Sequence, residues 1–563
     1  MAAHDDDLAV QLIRRLEHKK SARGNFNMLF QQVRDNVIPT LARFIGEDPK
    51  GIGQNQFTLD ETPEQAHEML AAAVHGMIAN PSQKYVDFAT DDENINEDEQ
   101  CAGWLYRARD RGFDIAYAPR SGMVGAHHES ILEMTSLGSG IVFSGEKIGQ
   151  GLRFACRPVT ECYLAEGEDG HVDTIDRAFK LTARQAAEKF KAKTPGAIME
   201  RAADPKRAED ELQFLHAVYP RADRAFSKWA GASRLPVASA YVWIDGKQTI
   251  DNSGYHEMPY AAPRWYTRAG EVYGRGPGIK ALPSCKALQR SMKYTFRAAD
   301  KSIEPPLMVA DDGVFGPPRL GSGQLTYARA DMLMRGERAP ITPINTGASV
   351  ELGEEFMKSI RQRIEASFYN HLIQMMRDPR MTATQVIQIA EETLRAMGPT
   401  VGRINDELIG PQWVRIFWML MRAGAFPPAP LKLQRYFAMG GQIVIRFVSP
   451  VAQAQKLSEA KGIVQTLGVA TQIAQSNPEV WDNYDLDGAA RELGVLFGMP
   501  RYLIRDPDAI AQMRAARANQ QRQQQAVEAA PMIANAAKNA GQGALAFRQA
   551  LGIDDQGGMN AAA

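Results

Sequence analysis

"VYGRGPGIK", residues 272–280, places the alternating glycines Gly274, Gly276 and Gly278, with Pro277 among them, directly ahead of a long helical pattern. A glycine-rich loop at a helix start holds phosphate when bare N–H groups face the anion, a Lys closes over it and a Ser or Thr holds the metal. Here Lys280 is followed by Ala281, and the glycines fit neither the phosphate-loop nor the dinucleotide spacing. Pro277 also removes one of the donors such a loop needs. The stretch therefore reads as a flexible turn leading into a helix, with no nucleotide site expected.

That helix, Ser284 to Lys301, carries two stripes. At about 3.6 residues per turn, Cys285, Leu288, Met292, Phe296, Ala299 and Ile303 share one arc of about 80°. Lys286, Arg290, Lys293, Arg297 and Lys301 share another, centred roughly 140° away. One face packs and a basic ridge looks elsewhere. The ridge is either a solvated face or a surface turned to a polyanion or an acidic neighbour.

Downstream comes a Pro/Gly-rich insert, residues 303–350, suited to short strands and loops. It holds Val314, Phe315, Leu320, Tyr327, Met332 and Met334, too many apolar groups for a solvent loop. Glu351 to Met376 is helical again, with Phe356, Ile360, Ile364, Phe368, Leu372 and Met376 at i, i+4 spacing. Glu351, Glu354, Glu355 and Glu365 on it are candidate partners for the ridge. "RDPR" interrupts the pattern, since Pro379 disfavours helical geometry at Asp378, and Thr382 or Thr384 can cap the helix that follows. That helix runs from Thr382 to about Ala423, with bends expected at Gly398-Pro399 and Gly410-Pro411.

Upstream the pattern is mixed. Residues 60–80 read as a capped helix. "GLRFACRPVTECYLAEGEDGHVDTIDRAFKLT" reads as short strands with a turn at "EGEDGHVD", followed by a helix from about Ala183 to Lys191. "PVASAYVWID" and "GKQTIDNSGY" read as a hairpin turning at Asp245-Gly246. "DDENINEDEQ", 91–100, reads as a solvated acidic loop. After a strand at "QIVIRFV" the chain is helical and becomes Ala/Gln-rich from about Asp508. The fold class is α+β, mainly helical.

With 563 residues, 44% hydrophobic and 23% charged, the composition is that of an ordinary globular protein with several cores. No run of about 18 apolar residues occurs, and the first twenty residues do not resemble a signal peptide, so synthesis in the cytoplasm is expected. Cys101, Cys156, Cys162 and Cys285 are too few for a disulfide framework and form no CxxC pair; they are expected to be reduced and mostly buried. Net charge is −1, from 65 basic and 66 acidic residues, which excludes the bulk positive charge of a tight nucleic-acid binder. The pair His127-His128 with Glu129 lacks further ligands and reads as surface. With no GxSxG, HExxH, phosphate loop or Cys/His nucleophile arrangement, no catalytic, cofactor or metal site is expected.

The run "HEMPYAAPRWYTRAGEVYGRGPGIKALPSCKALQ", with Pro259, Arg264, Trp265, Gly270, Glu271 and Tyr273 through Pro277, resembles the head-to-tail connecting (portal) proteins of short-tailed bacteriophages. "MTATQV", Met381 to Val386, resembles the family as well, with weaker echoes near Asp173 and His216. Tyr85 in "NPSQKYVDF" stands where the family pattern has Trp, and the last hundred residues match no part of it.

The resemblance implies a ring, usually of twelve subunits, at one capsid vertex of the virion, assembled in the host cytoplasm. It implies a wing (1–272), a first stem helix (273–302), a clip (303–350), a second stem helix (351–376) and a channel loop (377–381). A long kinked helix returning to the wing (382–450) and a helical crown with a loose tail (451–563) would follow. "YGRGPG" would be the bend from wing into stem. Arg377, Asp378 and Arg380 would touch double-stranded DNA in the channel, and the apolar clip residues would dock a packaging ATPase (terminase) and later tail or adaptor proteins. Capsid protein would be a further partner, and a membrane none. A virion scaffold or adaptor outside this family, or an enzyme acting on DNA, are the other functional classes open to the chain.

Overall fold

A computed structural model describes residues 2–46, 58–147, 149, 151–221, 235–303, 307–309, 341–343, 350–370, 397–448, 450–475, 477–497, 499, 503, 505 and 510–522. The expected channel loop with Arg377, Asp378 and Arg380 lies outside the described residues. So do Val314, Phe315, Leu320, Tyr327, Met332 and Met334 of the clip, the segment 371–396 with "MTATQV", and the tail beyond 522. The chain divides into a unit of residues 1–95 and 104–458, and a second of 96–103 and 459–563.

In the first unit a five-stranded antiparallel sheet has the order β4-β5-β6-β7-β8. Its strands are β4 (Cys162–Glu166), β5 (Val172–Thr182), β6 (Glu211–Pro220), β7 (Val237–Trp243) and β8 (Gln248–Tyr255). Side chains alternate along a strand, so β6 sends Leu212 and Phe214 to one face and Leu215 and Ala217 to the other. The first face packs on α7 (Ala183–Phe190) and α8 (Gly196–Ala203) through Ala186, Phe190 and Ile198. The second face receives Ala9, Leu12 and Leu16 of α1 (Ala2–Ala22). Each such buried aliphatic side chain contributes about 1.5–3 kcal/mol. Helix α7 starts at a capping box, in which Thr182 Oγ1 accepts from Gln185 N–H and Gln185 returns the bond to Thr182 N–H. In the β7–β8 hairpin the left-handed residue is Lys247, at φ 49. Gly246 is needed for a different reason, since an added Cβ would lie 2.2 Å from the Trp243 ring.

A second layer holds α2 (Gly24–Asn36), α3 (Thr62–Ile78), α6 (Met123–Leu137) and a sheet in which β2 (Val142–Lys147) lies between β3 (Gly151–Cys156) and β9 (Tyr260–Ala261). Strand β1 (Val86–Thr90) pairs antiparallel with β12 (Ile443–Phe447), tying the early chain to its return. A short helix, α4 (Glu93–Glu97), and the start of the longer α5 (Glu99–Ala116) replace the expected acidic loop at 91–100. Their first turns each begin with a Glu, which the positive end of a helix dipole favours. Tyr85 is buried: its hydroxyl accepts from Trp413 Nε1 at 3.2 Å and shares a 2.7 Å hydrogen bond with Tyr117.

The long helix α9 spans Pro277–Ile303, beginning seven residues before the expected Ser284 and taking Pro283 into its second turn. Its partner α10 spans Val350–Ser367; the expected unbroken run to Met376 is interrupted at Tyr369, whose φ of 58 cannot continue a right-handed helix. Phe368 there meets His67 of α3, ring centroids 6.0 Å apart. Farther on, Gly398-Pro399 opens α11 (Gly398–Ile404), where proline suits a first turn. Gly410-Pro411 opens α12 (Gly410–Arg422), preceded by a π turn, Asn405–Ile409. Pro411 crowds the carbonyl four residues back, and Gly410 N–H bonds Asn405 O, five residues back, so the wide turn takes up the mismatch.

After α13 (Leu431–Ala438) of the first unit, α14 (Pro450–Ala474) passes at residue 459 into the second unit, which also contains a 3₁₀ turn (Pro478–Asn483), α15 (Leu486–Leu496) and a helix over 510–522. Arg514 forms a bidentate pair with Asp487 at 2.5 and 2.8 Å.

Candidate stem surface and its buried root

The glycines ahead of α9 form a seam against the end of α6, which corrects the expectation of a flexible turn. A Cβ on Gly274 would lie 2.0 Å from Gly138 O, one on Gly276 2.6 Å from Met134 O, and one on Gly278 2.6 Å from Ser136 O. Only glycine admits backbone this close. Gly274 N–H donates to Ser139 Oγ at 2.9 Å, Arg275 N–H to Tyr266 O at 2.7 Å and Trp265 N–H to Gly138 O at 2.9 Å. The run that carries the family resemblance is thus a clamp fixing the start of α9.

Arg264 lies at the centre of this clamp, 1% exposed. Its Nη2 donates to Glu407 Oε1 at 2.6 Å and its Nε to Glu407 Oε2 at 3.2 Å, while its own backbone N–H reaches Glu407 Oε2 at 2.9 Å. The guanidinium also pairs with Glu166 and donates to Val272 O and Gly170 O. One side chain therefore joins the π turn, the β4–β5 turn and the approach to α9. Burial alone would lower its pKa, but the two carboxylates outweigh that and keep it charged.

The root of the helix pair is latched a second time. Gln289 on α9 accepts from Leu59 N–H at 2.8 Å and donates to Asp60 O at 2.8 Å, and Arg361 on α10 pairs with Asp60 at 2.8 Å. Burial would raise the Asp60 pKa; hydrogen bonds from Thr62 and Arg361 outweigh it and hold it below the ordinary value.

Beyond this root the helices emerge from the core. Cys285 and Leu288 are buried, Met292 and Ala299 half-buried, and Phe296 and Ile303 exposed, so only the inner half of the expected apolar stripe packs. On α10, Met357, Ile360 and Ile364 are buried, whereas Leu352 and Phe356 are 70% and 59% exposed. All five ridge residues, Lys286, Arg290, Lys293, Arg297 and Lys301, are exposed. Lys286 Nζ donates to Gln32 Oε1 at 2.7 Å and Arg290 Nε to Tyr294 OH at 3.1 Å. Among the described residues none of the five pairs with Glu351, Glu354, Glu355 or Glu365 of its own α10.

The expectation that His127-His128 is a surface pair is overturned for His127. It is fully buried, and its Nε2 donates to Gln412 Oε1 of α12 at 2.6 Å. Burial pulls its pKa down to about 4. His67, which donates to Leu132 O at 2.9 Å, is likewise pulled down to about 4. Burial pushes Glu133 up to about 8, although its Oε2 accepts from Val159 N–H. Cys101, Cys162 and Cys285 are buried and Cys156 half-buried, all as free thiols. No group of three or more His, Cys, Asp or Glu able to hold a metal occurs among the described residues, and no helix among them is long and apolar enough to cross a membrane.

A family model described as bacteriophage head to tail connecting protein matches residues 9–504. The chain is 26% identical over 544 residues to the probable portal protein of Bordetella phage BPP-1, covering 94% of each chain. It is 26% identical over 535 residues to the portal protein of Salmonella phage epsilon15, again covering 94% of each. Solved structures with similarity include the neck of an empty gene transfer agent particle (TM-score 0.35, 10% identity, 77% of this chain and 94% of that one). Another is the virion of a native gene transfer agent particle (TM-score 0.33, 11% identity, 79% and 95%).

Proposed function

The chain belongs to the bacteriophage head to tail connecting protein family, and from that premise we propose that it is a portal protein. In this reading identical subunits close into a ring at one capsid vertex, viral DNA enters and later leaves through the central channel, and capsid and tail proteins bind the ring's two ends. The observation that carries the reading is the match over residues 9–504, which takes in the clamp around Arg264 and Gly274 as well as both stem helices. The family is structural, and the chain's part in DNA movement is passage.

A pore through which a polyanion slides cannot hold it tightly, because each neutralised phosphate adds affinity by counterion release. A net charge of −1 suits that requirement. Arg377 and Arg380 would touch phosphate in each subunit while Asp378 limits the strength of the contact. The clip, with Val314, Phe315, Leu320, Tyr327, Met332 and Met334, would dock a packaging ATPase (terminase) and, after filling, the tail proteins. Assembly in the host cytoplasm would precede incorporation into the virion. Immunogold labelling of isolated virions tests the reading: label at a single vertex supports it, and label spread over the shell or absent from the particle would overturn it.

A further inference from the structure

We infer that the two stem helices present edges of opposite charge, and that the basic edge of α9 in one copy seats on the acidic edge of α10 in the next. The inference rests on the portal reading and deepens it by naming the faces through which copies meet. Helices α9 and α10 touch where Gly353 meets Thr295, an added Cβ there lying 2.7 Å from Thr295 Oγ1. At about 100° per residue, the centre of the ridge Lys286, Arg290, Lys293, Arg297 and Lys301 lies about 200° around α9 from Thr295. The strip Glu351, Glu354, Glu355 and Glu365 is centred about 145° around α10 from Gly353 by the same geometry. Each helix therefore turns its charge away from the other, and the pair is basic on one flank and acidic on the opposite one. Asp300 beside the ridge and Lys358 within the strip reduce the contrast without reversing either sign.

Opposite signs on opposite flanks suit a heterologous contact, in which one surface meets a different surface of the next copy, and that is the contact that closes rings. Phe296, Ile303, Leu352 and Phe356, each about half exposed or more, lie about 100–155° around their helices from the charge centres, on the sides between the two flanks. Exposed ion pairs add little affinity singly, so the charges act together and fix which flank meets which.

Two full-length variants test this: Arg290→Glu/Lys293→Glu/Arg297→Glu, acidic on both flanks, and Glu351→Lys/Glu354→Lys/Glu355→Lys, basic on both. Each alone should lose ring population by about tenfold or more in native mass measurements, since like charges now face each other. An equimolar mixture, and a chain carrying all six changes, should recover rings, the mixture with equal amounts of the two variants. Circular dichroism of each variant checks that its subunits are folded; if a triple reversal unfolds, the corresponding Gln variants should show the same loss more weakly, with rescue by the complementary set. Rings formed by either variant alone at the parent's level overturn the inference, and if DNA retention changes in those rings the ridge faces DNA instead. Folded variants that do not recover rings on mixing also overturn it. A parent chain that forms no rings would instead sink the portal reading itself.

Discussion

Arg264 and Glu407, 143 residues apart in the chain, form a buried charge-assisted pair whose shortest contact is 2.6 Å, with Arg264 Nε and its backbone N–H on the same carboxylate. Removing Arg264 leaves the buried Glu407 carboxylate with only Arg403 Nη1 at 3.3 Å and the backbone N–H of residue 264 against it. Arg264→Ala should therefore cost about 3–5 kcal/mol, read as a lowered denaturant midpoint of the purified chain. A loss below about 1 kcal/mol, the range of an exposed pair, would show that the cluster is not buried as described.

Gly274→Ala should destabilise the chain ahead of α9 by about 3 kcal/mol, at the upper end for overpacking, because the new Cβ falls 2.0 Å from a backbone oxygen that has no flexible end to move. Gly398→Ala, with nothing within 4 Å of the added Cβ, is the control. Thermal unfolding of the two variants side by side should show a large shift for the first and little for the second. Equal shifts would return "YGRGPG" to the reading of a flexible turn.

Acid should weaken the fold before any carboxylate titrates in bulk. Burial holds the folded pKa of His67 and His127 near 4, against an ordinary 6.5. As pH falls below 6.5 the unfolded chain takes up protons that the folded chain refuses, so stability declines until the folded groups protonate near 4. Each histidine contributes about 3 kcal/mol to that decline. Charge repulsion from His75 lowers His127 further, and repulsion from His128 does the same for His67. His127→Gln should remove about 1.4 kcal/mol per pH unit from the slope between pH 6 and 4.5, measured by denaturant titration at each pH. An unchanged slope would mean that His127 is hydrated.

The channel-loop proposal predicts a separation of assembly from retention. Arg377→Ala with Arg380→Ala should leave assembly intact and lower the fraction of particles that keep their DNA after packaging. Genome content per particle, measured by density sedimentation, checks it; parent-like retention would make the loop a plain connector.

The two helices α9 and α10 were legible because rows at 3.6-residue spacing persist through Leu288 on α9 and through Ile360 and Ile364 on α10. The hairpin at Asp245-Gly246 was legible from local chemistry alone. The glycine seam was not, since its cause is the backbone of residues 134–138, far away in the chain. Glu407 carried no signal either: one Glu in an amphipathic helix has the same pattern whether it faces water or a buried Arg264. His127 was misread because adjacency says that two side chains diverge, not which of them turns inward. The outer half of the α9 stripe was read as packing because periodicity records an apolar face without recording whether another element covers it; Phe296 and Ile303 are 49% and 79% exposed.

The most direct measurement is the native mass of the purified full-length chain, taken with electron-microscope images of the same sample. The portal reading predicts closed rings with a central hole, about 745 kDa if twelve copies of 62.1 kDa assemble. Monomer or dimer alone across a wide concentration range, with no ring in the images, would contradict it.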